Sequence, residues 1–511
     1  MLENNHSSSQ LKIGAILNYA IIVLNTMVGL LYTPYMLRMM GQSEYGLYSI
    51  VASVISYLTI LDLGFGNAII RYTAKYRAEN KVKEQYEMFG MFFVLYSVIG
   101  VISFLIGLVL YNNVDVLFQN SMSIDELSKA RIMILLMVFN VAFTFPMSIY
   151  GAIINAYEHF VFPRFINILR IILNTCVMIV LLSMGYKALA MVILQTIFNV
   201  LTLILNYVYC KYKLSIKMIF WKFNWSFLKE VSVYSFWIFL FILMDRIYWG
   251  TGQFVLGAVV GTTAVAIYAV AIQLLNMYMQ FSNAISSLFL PKVTSMVVTN
   301  NNEVEISNLF IKTGRVQFAI LAYILTAFLC FGRQFIVLWA GSEYYDAYLI
   351  SILFFVPLTI PLIQNLGITI LQARNQMEFR SILYIIIAFI SLFFQIYFSK
   401  KWGGIGCAIA VSGALIVGQI IVMNIYYSLK QQINILRFWK EILKMSIIPI
   451  IIGCLTFITT IYYNISTWCD FLLAGILFSI IYITLFVKFS LNVDEKKFFV
   501  PKIKKIIKWK K

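Results

Sequence analysis

Apolar stretches of roughly 20 residues, separated by short polar breaks, recur along the whole chain. At about 1.5 Å per residue each stretch is long enough to cross a hydrocarbon core of about 30 Å as an α-helix, the form in which a segment satisfies its own backbone hydrogen bonds. The pattern predicts spans near 14–37, 45–70, 88–111, 132–155, 162–184, 188–209, 231–257, 262–290, 316–332, 347–372, 381–398, 404–428, 445–463 and 469–487. The expected fold class is an all-α polytopic membrane protein with about fourteen transmembrane helices. Residues 1–10 are polar. The apolar run after them is too long for a signal-peptide core and lacks a small-residue cleavage site, so the first span is expected to be retained.

Several spans carry amides on one face at helical spacing. Gln195, Asn199, Thr202 and Asn206 do so in the sixth span, and Gln273, Asn276, Gln280, Asn283 and Ser287 in the eighth. Asn18, Asn25 and Tyr32 line the first span, while Asn140, Thr144, Ser148, Gly151, Asn155 and His159 line the fourth. An amide cannot be left unsatisfied in lipid, so each stripe faces either protein, as glue between helices, or a polar cavity. Asn and Gln donate and accept at once, as sugar hydroxyls require of a partner. Both readings stay open at this point.

Charges inside spans are rarer, because each costs at least about 2.5–3.5 kcal/mol at mid-bilayer unless paired or hydrated. Asp245 and Arg246 fall halfway along the seventh span, Asp62 lies inside the second, and Arg170 lies inside the fifth on the face of Asn167 and Asn174. Arg71 and Arg164 sit at span ends, where a cationic anchor is the plainer reading.

Composition agrees with the pattern: 61% of residues are hydrophobic and 12% charged, against about 25% charged in a soluble domain. A net charge of +18 would suit nucleic acid, but the cations lie in short loops and a tail, where they meet anionic headgroups instead. Alternate loops hold thirty Lys and Arg on one side and seven on the other, which predicts cytoplasmic termini and an even number of spans. The six cysteines form no CxxC pair and have no histidine partner at metal spacing. Neither a phosphate-cradling glycine loop nor an HExxH motif occurs, so no catalytic residue, metal or cofactor is expected.

The chain also matches itself at a shift near 220. Gly41 to Tyr48 (GQSEYGLY) lies over Gly261 to Tyr268 (GTTAVAIY), Asn155 and Ala156 lie over Gln372 and Ala373, and Gly185 lies over Gly403. Six spans per repeat put both repeats in the same orientation, so they are parallel repeats. The predicted organisation is a cytoplasmic N-terminus (1–13), a six-helix bundle (14–210), a cytoplasmic linker (211–230), a second six-helix bundle (231–428), two further spans (429–490) and a basic cytoplasmic tail (491–511).

The block Pro34 to Gly41 followed by Glu44 to Tyr48, the run Leu61 to Gly66 leading to Arg71, and Asp245 with Arg246 ahead of Gly261 and Tyr268 carry a resemblance. In these the chain resembles the oligosaccharide flippases of the MATE-like (MOP) superfamily, the polysaccharide transporters that move O-antigen or capsule repeat units on undecaprenyl pyrophosphate. The lipid II branch fits less well, because no arginine precedes Arg38 in the first span. The resemblance implies a transporter of the bacterial cytoplasmic membrane that is not an enzyme. It would work among membrane lipids, with a glycan polymerase and other assembly proteins as partners and no role for nucleic acid. It also implies cavity arginines that hold the pyrophosphate, here by position Arg71, Arg164, Arg170 and Arg246, and a lipid-tail groove beside the two extra helices. Sugar contacts would fall to Asn18, Asn25, Asn155, Asn174, Gln195, Asn199, Gln273, Asn276 and Gln280, and ion coupling to Asp62 or Asp245. A MATE-type multidrug antiporter, and a membrane polymerase or glycosyltransferase, are the alternatives.

Overall fold

The computed structural model describes residues 2–220, 222–286, 289, 293, 295–296, 302–374, 376–463, 465–492 and 495–496. Most of the basic tail (497–511), the end of the eighth predicted span and most of the loop after it lie outside them. Every regular element among the described residues is helical, as the bilayer requires of a single-chain bundle. Among these residues eleven helices are long and apolar enough to cross a membrane, or twelve when one bent pair counts as a span.

The chain begins with α1 (Leu2–Met40) and α2 (Gln42–Leu58), joined at Gly41, whose φ of 77° is left-handed backbone. After α2 the second predicted span breaks. A 3₁₀ turn over Thr59–Asp62 is followed by positive φ at Leu63 (52°) and Gly64 (74°) before α3 (Phe65–Ala78) resumes. Next come α4 (Val82–Asn112), the short α5 (Val114–Phe118), α6 (Ile124–Ala156), α7 (Val161–Ser183) and α8 (Ala188–Tyr212). An irregular segment then leads to α9 (Trp225–Val259) and α10 (Thr262–Ser286), with Gly261 between them at φ 123°. The remaining elements are α11 (Glu303–Trp339), α12 (Ala347–Ile363), α13 (Leu366–Ala373), α14 (Glu378–Ala414), α15 (Met423–Leu429), α16 (Ile435–Tyr462) and α17 (Trp468–Phe489). A π-helical stretch, Leu415–Val422, joins α14 to α15.

From α14 to α15 the helical stretch covers 52 residues in two pieces, more than one crossing of a hydrocarbon core of about 30 Å needs. It turns at Gly403, whose φ of 54° and ψ of −132° are not helical. Gly185, between α7 and α8, also has left-handed backbone, with φ 88°. L side chains avoid this region, so glycine is the residue that ends one helix and starts the next there.

The chain divides into two compact units: residues 1–269 with 399–404, and 270–398 with 405–511. In the first, α6 packs along α4 and α8, and α7 lies against α1 and α8. Its core is aromatic around Phe65, Phe92, Tyr96 and Phe145, with the Tyr96 and Phe145 rings stacked 6.4 Å apart. In the second unit α11 packs against α16, α12 and α17. There Tyr278 stacks on Phe355 at 4.5 Å, and Tyr323 shares a 2.7 Å hydroxyl hydrogen bond with Ser479.

Candidate functional site

The break between α2 and α3 gives Asp62 its setting. A span interrupted at mid-length has backbone groups to satisfy and room for a polar side chain. The half-buried Asp62 carboxylate accepts a hydrogen bond from the Tyr96 hydroxyl at 2.9 Å. Tyr96 is fully buried among Phe65 and Phe145, within hydrogen-bonding reach of Ser148. One titratable carboxylate is thus held beside these rings by a hydroxyl from α4 and by the Gly64 backbone N–H at the helix break. Asp245, on α9, is exposed instead.

The four cations differ in what holds them. Arg170 is half-buried on α7 and donates to Asn167 one turn earlier at 2.9 Å. Arg164 donates to the Phe160 carbonyl at 3.0 Å with its guanidinium 5.2 Å from the Phe160 ring centre, while its buried Nε has no partner. Arg246 is half-buried on α9 and also has a buried Nε without a partner. Arg71 is exposed on α3 with its guanidinium 5.7 Å from the Tyr72 ring centre. In the turn after α3, Lys81 beside Glu79 at 2.7 Å holds that exposed carboxyl below its usual range, a contact worth little at the surface.

Within the first unit the amide stripe of the sixth span makes contacts between helices. Gln195 and the Tyr48 hydroxyl bond each other, Gln195 Nε2 to Tyr48 at 3.0 Å, and Asn199 Nδ2 donates to Asn140 at 2.6 Å and Thr144 at 2.8 Å. These amides bind α8 to α2 and α6. Asn174 differs, because its buried Oδ1 has no partner. Asn18 and Asn25 are exposed on α1, and Asn155 is half-buried at the end of α6.

In the second unit Gln273 is half-buried, and Asn276 and Gln280 are exposed. The polar centre here is one the stripes do not reveal: α12 and α13 meet at a 44° bend after Pro357 and Pro361. Fully buried Gln317 places its amide within hydrogen-bonding distance of the freed Leu362 and Ile363 carbonyls and of Ser282 and Ser286. Asn365 donates to Asn283 at 2.8 Å, and Gln364 to Asn424 at 2.8 Å. Proline in the span was the signal for this bend. In the same unit a cavity of about 610 Å³ lies among α11, α12 and α16, lined almost wholly by apolar groups such as Phe318, Leu325, Ile352, Pro449 and Phe457. Among the described residues, no group of three or more His, Cys, Asp or Glu is placed to hold a metal ion.

Residues 11–297 match the family model described as "Polysaccharide biosynthesis protein". The chain belongs to this family. Among curated proteins no match was found. Solved structures show the fold of this polysaccharide biosynthesis family member. The lipid II flippase MurJ in an inward closed conformation superposes with TM-score 0.67 at 18% identity, over 93% of this chain and 98% of its own. An inward-facing multidrug resistance MATE transporter of the MOP superfamily gives 0.57 at 16%, over 80% and 99%. A mutant of the Vibrio cholerae MATE transporter VcmN gives 0.51 at 15%, over 84% and 99%. At these identities the likeness is one of fold. The protein is a multi-pass membrane protein with a MATE-like fold.

Proposed function

We propose that this polysaccharide biosynthesis protein is a flippase that carries an undecaprenyl-pyrophosphate-linked oligosaccharide repeat unit from the cytoplasmic to the outer leaflet by alternating access. The observation that carries the reading is the family match over residues 11–297 in a chain with the MATE-like fold. The choice of a lipid-linked substrate over a drug rests on coverage. The MurJ structure accounts for 93% of the chain and the MATE transporter for 80%, so a lipid-linked substrate suits the parts a drug antiporter does without.

The fourteen-span plan of two parallel six-helix repeats and two more helices is part of the proposal. Splitting the 52-residue helix at Gly403, counting the bent α12–α13 pair as one span and adding the 35-residue α9 supports it. The repeat is supported by backbone geometry: Gly41 and Gly261 both have positive φ before a helix, as do Gly185 and Gly403 between helices, and Ala156 and Ala373 each end one. Both termini are placed in the cytoplasm of a bacterial cell, with the arginines toward pyrophosphate, the exposed amides toward sugar and the apolar cavity toward the polyprenyl chain. Guanidinium pairs with phosphate through two hydrogen bonds. An interior-negative potential favours outward movement of the anion by about 2.3 kcal/mol per charge per 100 mV.

The test is deletion of the gene in its host and complementation with the wild-type chain. The reading expects loss of surface glycan with accumulation of the lipid-linked repeat unit on the cytoplasmic leaflet, both reversed by the wild-type gene. Normal surface glycan in the deletion strain, with altered drug resistance in its place, would support the antiporter instead.

A further inference from the structure

The first turn of α6 carries a carboxylate that the flippase reading leaves without a role. Ser123 and Glu126 form a capping box, in which the Glu126 backbone N–H donates to the Ser123 hydroxyl and the Ser123 backbone N–H donates to Glu126 Oε2 at 2.9 Å. This reciprocal pair fixes the side chain and leaves Oε1 to other partners. Oε1 accepts from the Ser43 hydroxyl at 2.5 Å and from the Thr262 hydroxyl at 2.9 Å. Ser43 is in the first turn of α2, two residues after Gly41, and Thr262 begins α10 directly after Gly261. One oxygen therefore holds together the corresponding starts of two spans from different repeats, where both helix N-termini favour a negative charge.

Ser43 is exposed and Glu126 half-buried, but the helices beside them are packed closely. A Cβ on Gly46 would collide with the Thr262 carbonyl oxygen, and one on Gly257 would come within 2.8 Å of Ile50. The Ser121 hydroxyl donates to the Gly257 carbonyl at 2.6 Å. Farther along the same seam Tyr57 and Thr251 share a 2.5 Å hydroxyl hydrogen bond, and Thr251 is buried. In the proposed topology these helix starts face outward.

We infer that Glu126 is the positioning residue that latches the outer ends of α2 and α10, so that its hydrogen bonds to Ser43 and Thr262 must break before the glycan can leave. Oε1 cannot reach both hydroxyls once the two helix starts part. The capping box keeps the carboxylate ready to re-form the contact when they return. The inference rests on the alternating-access reading and its topology. Its readout needs no substrate, so its failure is separable from that of the flippase assignment.

The test introduces Thr251→Cys as a buried reporter in the full chain and measures its labelling by a membrane-impermeant maleimide added outside intact cells, with the parent chain as background. Glu126→Ala should speed labelling about tenfold, the shift expected when a hydrogen bond to a charged acceptor is lost. Glu126→Gln, which keeps an acceptor oxygen, should have a smaller effect. A Ser43→Ala, Thr262→Ala double variant leaves the capping box intact. It should speed labelling in the same direction and add nothing when combined with Glu126→Ala, because all three changes remove the contact at Oε1. Should Glu126→Ala fail to accumulate, the Gln and double variants carry the measurement. Labelling at the parent rate in variants present at the parent level, labelling only from the cytoplasmic side, or full additivity would each overturn the latch.

Discussion

Arg315 holds Glu495 through a two-pronged contact, Nε to Oε1 at 2.6 Å and a terminal nitrogen to Oε2 at 2.8 Å. The other terminal nitrogen reaches Glu441 at 2.8 Å, so one cation on α11 joins the start of α16 to the chain beyond α17. Both Arg315 and Glu495 are buried, at 6% side-chain exposure each. Removing one partner of such a pair leaves a buried charge unpaired, at a cost of about 3–5 kcal/mol. Arg315→Met should therefore lower the melting temperature of the detergent-purified protein sharply. Adding Glu495→Gln should restore much of the loss. Arg315→Lys should fall between, since an ammonium cannot serve both carboxylates in the fork geometry. A melting temperature unchanged in Arg315→Met would mean that the contact contributes nothing to joining these helices.

Asp62 and Tyr96 allow a sharper test of ion coupling. Asp62→Asn keeps the shape and an acceptor for the Tyr96 hydroxyl but removes the titratable charge. If Asp62 couples an ion to transport, this variant should accumulate normally yet lose glycan export and its dependence on external pH or sodium, while Tyr96→Phe should shift that dependence and retain export. Unaltered export in Asp62→Asn assigns the carboxylate a structural part at the helix break.

The span pattern and the paired glycines were legible because both are local: hydrophobic length reports a crossing, and a helix reversal with left-handed backbone calls for glycine at Gly185 and Gly403. The stripe of Gln195 and Asn199 was legible as a face, but periodicity does not say what a face meets, and here it meets Tyr48, Asn140 and Thr144. Arg315 read as one more loop cation, since its partners lie 126 and 180 positions away. Glu126 carried a readable signal, the Ser-x-x-Glu capping box ahead of an apolar run, yet its contacts with Ser43 and Thr262 are tertiary. The break at Asp62 precedes a Leu-Gly pair with positive φ inside an otherwise apolar run, where length alone suggested an unbroken span.

The apolar cavity between α11, α12 and α16 leads to a prediction about the lipid. Leu325→Trp would fill part of its roughly 610 Å³. If the cavity receives the polyprenyl chain, transport of the long-chain substrate in proteoliposomes should drop several-fold, while a short-chain prenyl analogue with the same headgroup should be moved as by wild type. Equal loss for both would place the lesion in the fold, and loss for neither would remove the cavity from the substrate path.

Arg170 and Arg246 test the anion-binding part of the proposal. Asn167 takes one hydrogen bond from Arg170, which leaves that guanidinium further donors, and the buried Nε of Arg246 has no partner. Alanine at either position should abolish export while leaving protein level and membrane insertion intact. Lysine should restore only part of it, because it keeps the charge and loses the two-pronged geometry. A structural role predicts the reverse: alanine would lower the protein level, and for Arg246 a second change, Asp245→Ala, would restore it by removing an uncompensated charge. The two patterns are distinguished by measuring protein abundance and surface glycan on the same cells. If both alanine variants accumulate and export at the wild-type rate, neither arginine holds the pyrophosphate, and the anion-binding part of the proposal fails for these residues.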